Sequence, residues 1–287
     1  MLPQNLPDFD SLWDYSHPDE TETKFREILL RFPEDDPAFL ELLTQIARAQ
    51  GLQRKFNHAH QTLNQVERRL KDILSRAKVR YLLERGRVFN SSGKPEEACP
   101  FFEKALEIAK QLKEDFYAID ALHMLATLAP PEESLTLNLQ AIEMAESSQQ
   151  EKTRNWLGSL YNNTGWSYHG LSDYASALRI FEKAEAWQRS KGRVRETHIA
   201  AWCVARTLRS LGRIEEALSK QMRLNEESAG EEDGYVFEEI GECLLALNRL
   251  EEACSYFLKA YELLSQDARL VEQESERLMR LKELGGD

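Results

Sequence analysis

The side chains in this sequence best equipped to grip another molecule are Trp166 and Trp202, His123 and His169, the asparagines Asn90, Asn162 and Asn163, and the arginines Arg48, Arg87, Arg206 and Arg209. Tryptophan and arginine concentrate binding energy at interfaces. An asparagine amide gives an extended peptide both donors and an acceptor, and arginine forks onto a carboxylate. Their spacing groups them. Asn162, Trp166 and His169 fall at i, i+4 and i+7; so do Leu83, Arg87 and Asn90, then Ile119, His123 and Ala126, then Trp202, Arg206 and Arg209. On a helix that spacing makes one face. Thr44 with Arg48, and Glu238 and Glu242 with Leu245, extend the series at its two ends, and Asn163 and Cys203 flank its middle. The chemistry is recognition: a protein or peptide segment with an acidic side chain or a free C-terminus lying along Arg87 to Arg209. The acidic cluster Glu238, Glu239 and Glu242 would receive its basic end.

Catalytic chemistry is poorly supplied. His123, His169 and Cys203 make a nominal Cys/His group, but a nucleophilic cysteine needs its base within hydrogen-bond reach, and the spacing shows none. A half-buried thiol is the plainer reading of Cys203. His58 and His60 are two residues apart and point different ways on a helix. No glycine-rich phosphate loop exists, since Gly86-Arg87 and Gly93-Lys94 lack the required spacing. The sequence is therefore read as non-catalytic, with no cofactor and no metal. The basic runs at 76–80 and 189–195 are read as solvated faces.

These faces need helices to carry them, and an internal repeat supplies them. A small residue is followed twelve positions later by alanine in Ala47 and Ala59, Gly86 and Ala98, Gly165 and Ala177, Ala205 and Ala217, and Gly241 and Ala253. Four residues beyond come Leu63, Phe102, Phe181, Gln221 and Phe257. A weaker copy has Ser134 and Asn138, with Leu122 in the small slot. Two antiparallel helices that cross closely need a small residue at the crossing and a large one beside it. The path between crossing points through a tight turn fixes the spacing of twelve. The turns agree: Ser92-Gly93-Lys94-Pro95, Leu171-Ser172-Asp173-Tyr174, Leu211-Gly212-Arg213-Ile214 and Leu247-Asn248-Arg249-Leu250. Glycine or asparagine tolerates the left-handed residue that ends a helix, and Pro and Glu suit a helix start. No stretch alternates with period two for long, so no strands are expected.

The weak copy, 115–145, carries Pro130-Pro131 at its turn and is expected to pack more loosely. Residues 20–32 read as a helix stopped by Pro33, paired with a short first helix at 8–14. Residues 270–284 read as one amphipathic capping helix, with Leu270, Leu278, Leu281 and Leu284 on its apolar side. The expected divisions are a degenerate repeat at 1–37, six helix pairs at 38–266 and a cap at 267–287.

Composition is consistent with this. Of the 287 residues 42% are apolar, too many for wholesale disorder. The net charge of -12 weighs against generic nucleic-acid binding. No apolar run is long enough to span a membrane, and the N-terminal ten residues lack the basic cluster of a secretory signal. Four cysteines without a CxxC pair read as reduced thiols, which points to the cytoplasm.

The pattern resembles the tetratricopeptide repeat over about residues 20–266, best in Tyr161, Thr164, Gly165, Tyr168, Ala177, Phe181 and Ala184, then in Phe237, Ile240, Gly241, Leu244, Ala253, Phe257 and Ala260. Leu12-Trp13-Asp14-Tyr15, Leu83-Glu84-Arg85-Gly86-Arg87 and Asn162-Asn163-Thr164-Gly165-Trp166 are similar to stretches of uncharacterised bacterial proteins made only of such repeats. The resemblance implies an all-α, right-handed superhelical solenoid whose first helices line a concave groove used to bind a peptide or partner protein, as a scaffold. An alternative is a regulator that binds a small peptide or metabolite near His123, Trp166 and Trp202 and changes shape. Three competing arrangements stay open: tryptophans packed between repeats, arginines paired with Glu84, Asp120 and Glu239, and a C-terminal helix folded into the groove.

Overall fold

The computed structural model describes residues 8–286 except 35, 71–73, 229 and 231. The first seven residues of the N-terminal stretch and Asp35 of the connector between Pro33 and Pro37 thus lie outside the described residues. The described residues are all-α and contain no strand. They form two compact units, the first ending at Trp156 and the second beginning at Leu157.

The first unit opens with a 3-10 turn, Phe9–Leu12, followed by α1 (Pro18–Leu29). Three helix pairs follow: α2 (Pro37–Leu52) with α3 (Phe56–Arg69), α4 (Arg76–Ser91) with α5 (Pro95–Leu112), and α6 (Asp115–Leu128) with α7 (Pro131–Ser147). A four-residue α8 (Glu151–Arg154) ends it. The second unit pairs α9 (Leu157–Gly170) with α10 (Tyr174–Ser190), α11 (Val194–Ser210) with α12 (Ile214–Glu227), and α13 (Gly234–Ala246) with α14 (Leu250–Leu264). Two further helices, α15 (Ala268–Gln273) and α16 (Ser275–Gly285), complete it.

The repeated small residues sit where paired helices cross. A Cβ on Gly86 would lie 2.5 Å from the Phe102 ring, one on Gly165 would lie 2.4 Å from Phe181, and one on Gly241 would lie 2.8 Å from Phe257. Carbon atoms in contact prefer about 3.5–4.0 Å, so glycine and phenylalanine are coupled choices. Where alanine replaces glycine, at Ala47 and Ala205, the residue sixteen positions on is the smaller Leu63 or Gln221. The copy expected to be loose reverses the order, with Leu122 first and Asn138 sixteen residues later, and both are buried. Ala118, Ala121, Leu122, Ala141 and Ala145 are all fully buried there. Pro130 and Pro131 therefore start α7 without opening the pair, since proline at the first helical position gives up only an unpaired N–H.

Two expected elements differ. Residues 8–14 make only the 3-10 turn, anchored by Phe9, whose ring meets Phe32 edge-on at 6.1 Å. Residues 270–284 are not one helix: Glu274 breaks them with φ -130° and ψ 34°. Only α16 packs on α14, burying Leu278 and Leu281, while Gly285 lies against the Leu258 backbone. Leu278, Leu281 and Leu284, three residues apart, seat α16, but Leu270 lies on α15, which buries no residue fully.

Candidate functional site

In both units the first helices of successive pairs lie side by side, which brings their i, i+4, i+7 stripes together. In the first unit α2, α4 and α6 share a half-open cavity of about 150 Å³. Gln45 and Arg48 come from α2, Arg80, Leu83, Glu84 and Arg87 from α4, and Phe116, Tyr117 and Asp120 from α6. The cavity exists because two segments wall this face. The N-terminal stretch supplies Asp10 and Tyr15, and Trp156 follows α8. Trp13 holds the N-terminal wall in place by donating from Nε1 to Gln45 Oε1 at 2.9 Å and stacking on Tyr15 at 4.9 Å. Asp10 latches the two walls to α4: Arg80 reaches it at 2.6 Å and Lys152 at 2.6 Å. Burial would raise the Asp10 carboxyl, but the charges of Arg80 and Lys152 outweigh it and hold the group down to about 2.

Arg48 and Arg87 lie in this cavity, already paired. Arg87 donates to Glu84 at 2.6 Å and to Asp120, and Arg48 meets Glu84 at 3.2 Å. The Arg48 guanidinium also lies over the Trp13 and Tyr15 rings, 5.6 and 5.5 Å from their centroids. His123 packs on Trp156 with ring centroids 5.5 Å apart, and burial keeps its pKa below the ordinary histidine value. Asn90 is half-buried further along α4 and does not line the cavity.

The run at 76–80 is not a solvated face. Arg80 is 4% exposed and also donates to the Tyr117 hydroxyl at 2.5 Å, while Arg76 donates from Nε to both oxygens of buried Glu41, at 2.9 and 3.1 Å. The signal was present in the spacing, because 76, 80, 83, 87 and 90 continue one helical stripe. Asp10 and Trp156 gave no such signal, since they reach the cavity from outside the repeats.

In the second unit Trp166, Trp202 and Tyr235 form an aromatic row across α9, α11 and α13, with centroids 6.1 and 6.3 Å apart. All three are held by neighbours while staying partly exposed: Trp166 meets the Phe181 edge at 5.2 Å, Trp202 donates from Nε1 to the Tyr235 carbonyl at 3.1 Å, and the Arg277 guanidinium lies over the Tyr235 ring at 5.4 Å. His169 lies 3.0 Å from Ser210 Oγ, and burial together with the Arg206 charge lowers its pKa. Cys203 is buried beside Asn162, whose Oδ1 is 3.9 Å from the sulfur, and Asn162 donates to Asn163 at 3.4 Å. Burial pushes the Cys203 thiol up to about 12, far from a thiolate at neutral pH.

Arg206 and Arg209 both bind Glu239, at 2.9 and 2.8 Å. The acidic cluster beyond them is neutralised within the chain: Arg277 of α16 forks onto Glu238, and Arg280 binds Glu242. A ligand's basic end would therefore meet Glu238 and Glu242 already held by two α16 arginines, with Glu239 held by Arg206 and Arg209. One of the competing arrangements thus holds here, since the arginines pair inside the array, while α16 packs on α14 and reaches α13 through Arg277 and Arg280.

The glycine–phenylalanine crossings with this helix order identify the repeat. The tetratricopeptide-repeat family model matches residues 79–112, on α4 and α5, and 236–265, on α13 and α14. These two helix pairs match the tetratricopeptide repeat, and the helix pairs around them share its fold. No curated protein sequence matches it. Among solved structures, it is similar to a signal-transduction ATPase with numerous domains from Pyrococcus horikoshii that carries a tetratricopeptide repeat sensor, at 14% identity and TM-score 0.74. That match covers 92% of this chain and 41% of the other, so the tetratricopeptide array here spans less than half of that protein. It is also similar to the apo form of RapI (11% identity, TM-score 0.73, 88% of this chain and 73% of that one). NprR in complex with its cognate peptide NprX matches at 14% identity and TM-score 0.52, over 94% of this chain and 83% of that one. At such identities these likenesses concern the fold. Tetratricopeptide arrays are, as a class, generally non-catalytic scaffolds that present extended binding surfaces. No helix among the described residues is long and apolar enough to cross a membrane.

Proposed function

We propose that this chain is a non-catalytic scaffold that binds a peptide segment of a partner protein on the first-helix face of its second unit. The observation that carries this reading is the aromatic row Trp166–Trp202–Tyr235, with Tyr235 39% exposed and both tryptophans half-buried. Large aromatic rings held rigid by their neighbours and partly exposed are the side chains that anchor a partner at low ordering cost. Asn162 and Asn163 border the row and would hold the segment's backbone. A carboxylate of the segment, from an acidic side chain or a free C-terminus, would take over Arg206 and Arg209 where the segment also brings a cation to Glu239, which is otherwise left buried and unpaired. The complex of NprR with its peptide supports the peptide class by likeness of fold alone.

The test is capture by the immobilised full chain against the Trp166→Ala/Arg206→Ala double variant, with helicity checked by circular dichroism. A partner peptide identified on the wild type should bind the variant at least about tenfold more weakly, as loss of an interface hot spot does. Equal binding by a folded variant refutes the site. A second reading, a ligand-responsive regulator, is favoured by the walled cavity of the first unit.

A further inference from the structure

We propose that the cavity of the first unit binds a small zwitterionic α-amino acid. This site is separate from the partner-binding face of the second unit and does not depend on that reading.

Charge is the first ground. Three guanidinium groups, of Arg48, Arg80 and Arg87, and three carboxylates, of Asp10, Glu84 and Asp120, line the cavity. The walls are therefore balanced and strongly dipolar. A simple anion or cation would leave one sign in excess among side chains that are mostly buried, where unbalanced charge is costly. A ligand carrying both signs keeps the balance.

Unspent hydrogen-bonding capacity is the second. Among the cavity residues, Arg48 Nε, Arg80 Nε and Trp156 Nε1 are buried donors without a partner, and Glu84 Oε2 is a buried acceptor without one. Arg80 and Glu84 are 4% and 3% exposed, so solvent does not satisfy them from outside. Three N–H donors suit a carboxylate, and one carboxylate oxygen suits an ammonium group. The remaining nitrogens of the arginines stay on Asp10, Tyr117, Glu84 and Asp120, so the ligand would add to the network without breaking it.

Size is the third. The volume of about 150 Å³ matches a cavity that holds one benzene ring, about six heavy atoms. Alanine and serine are of that size, whereas a peptide of several residues is not. The aromatic walls Phe116 and Trp156 would face the short side chain.

Isothermal titration of the full chain decides the matter, with glycine, L-alanine and L-serine as probes. L-alaninamide lacks the carboxylate, and N-acetyl-L-alanine and L-lactate lack the ammonium group. At least one free amino acid should bind, and the matching analogues should bind about tenfold or more weakly, since each deletes a charge-assisted hydrogen bond. Trp156→Phe keeps the ring and loses the donor, and Arg48→Lys keeps the charge and loses the Nε–H; each should weaken amino-acid binding several-fold in a folded protein. No binding at millimolar concentration, meaning that water alone fills the cavity, overturns the proposal. So does equal binding of the analogues, or unchanged affinity in both variants.

Discussion

Replacing Gly165 by alanine tests the close helix crossing directly. Helix propensity alone favours alanine in a helix interior by about 1 kcal/mol. The structure predicts the opposite sign. The new Cβ would sit 2.4, 2.6 and 2.7 Å from three carbons of the Phe181 ring, about 1 Å inside normal contact. The ring cannot step aside, because it is fully buried and Trp166 packs edge-on against it at 5.2 Å. Overpacking of this kind costs about 1–3 kcal/mol, and the crossing must also open by about 1 Å along α9 and α10, which places the effect at the upper end. Set against the propensity gain, Gly165→Ala should destabilise by about 2 kcal/mol. Phe181→Leu alone should cost a little over 1 kcal/mol by leaving a void. The double variant, which copies the Ala47–Leu63 solution already present in the chain, should be more stable than the two single losses added together, by about 1–2 kcal/mol of favourable coupling. Urea unfolding followed by circular dichroism gives the global values, and hydrogen exchange of the α9 and α10 amides localises them. A neutral or stabilising Gly165→Ala, or strictly additive effects, would show that the helices do not meet there.

Two other outcomes follow from local geometry. Lys113 ends α5 in the left-handed region at φ 57°, so Lys113→Gly should raise stability by about 0.5–1 kcal/mol in the same urea assay, whereas Gly93→Ala, at φ 81°, should lower it by a similar amount. Asp10 titrates at about 2 in the folded chain against an ordinary 3.8; its pKa is depressed, so its contribution is fully present above pH 3.8 and disappears as pH falls through about 2. That contribution is about 2 kcal/mol, so Asp10→Asn should lower stability by about that amount at pH 6 and flatten the acid side of the stability curve, read by thermal unfolding from pH 6 to pH 2.

The helix pairs were legible because their signature is local. A crossing needs Gly or Ala, a large residue sixteen positions on and a turn between them, and those demands do not change when a repeat lengthens. The N-terminal wall and the break at Glu274 lacked such a signature: Phe9 and Trp13 hold their segment by packing against residues far along the chain, and Leu270 matched the apolar spacing but reaches only the margin of the core from α15. The stripes were legible as faces, and pairing of their arginines with Glu84, Asp120 and Glu239 was open as an alternative that the spacing alone did not select. Arg48 meets Glu84 36 residues away, Arg87 meets Asp120 33 away, and Arg209 meets Glu239 30 away. These separations follow the drifting repeat length, so no fixed period reveals them. Arg76 and Arg80 were on the stripe by spacing, yet only buried Glu41 and half-buried Asp10 explain why they turn inward.

That internal pairing changes what the arginines can offer a partner. Glu84, Asp120 and Glu239 are each at most 6% exposed, and a buried carboxylate stripped of its arginine costs about 3–5 kcal/mol. An approaching carboxylate that takes Arg206 and Arg209 gains about as much as Glu239 loses, so a lone acidic group or free C-terminus achieves little. A segment that brings its own cation to Glu239 completes the exchange, just as Arg277 and Arg280 of α16 satisfy Glu238 and Glu242 one step along. Affinity would then come from the partly exposed Trp166 and Trp202, which give up no ion pair when a partner covers them, and the charges would set direction and register. The same reasoning separates the two units. In the second, a ligand must exchange ion pairs to use the arginines. In the first, donors on Arg48, Arg80 and Trp156 are unspent, so a small ligand can be held without displacing anything.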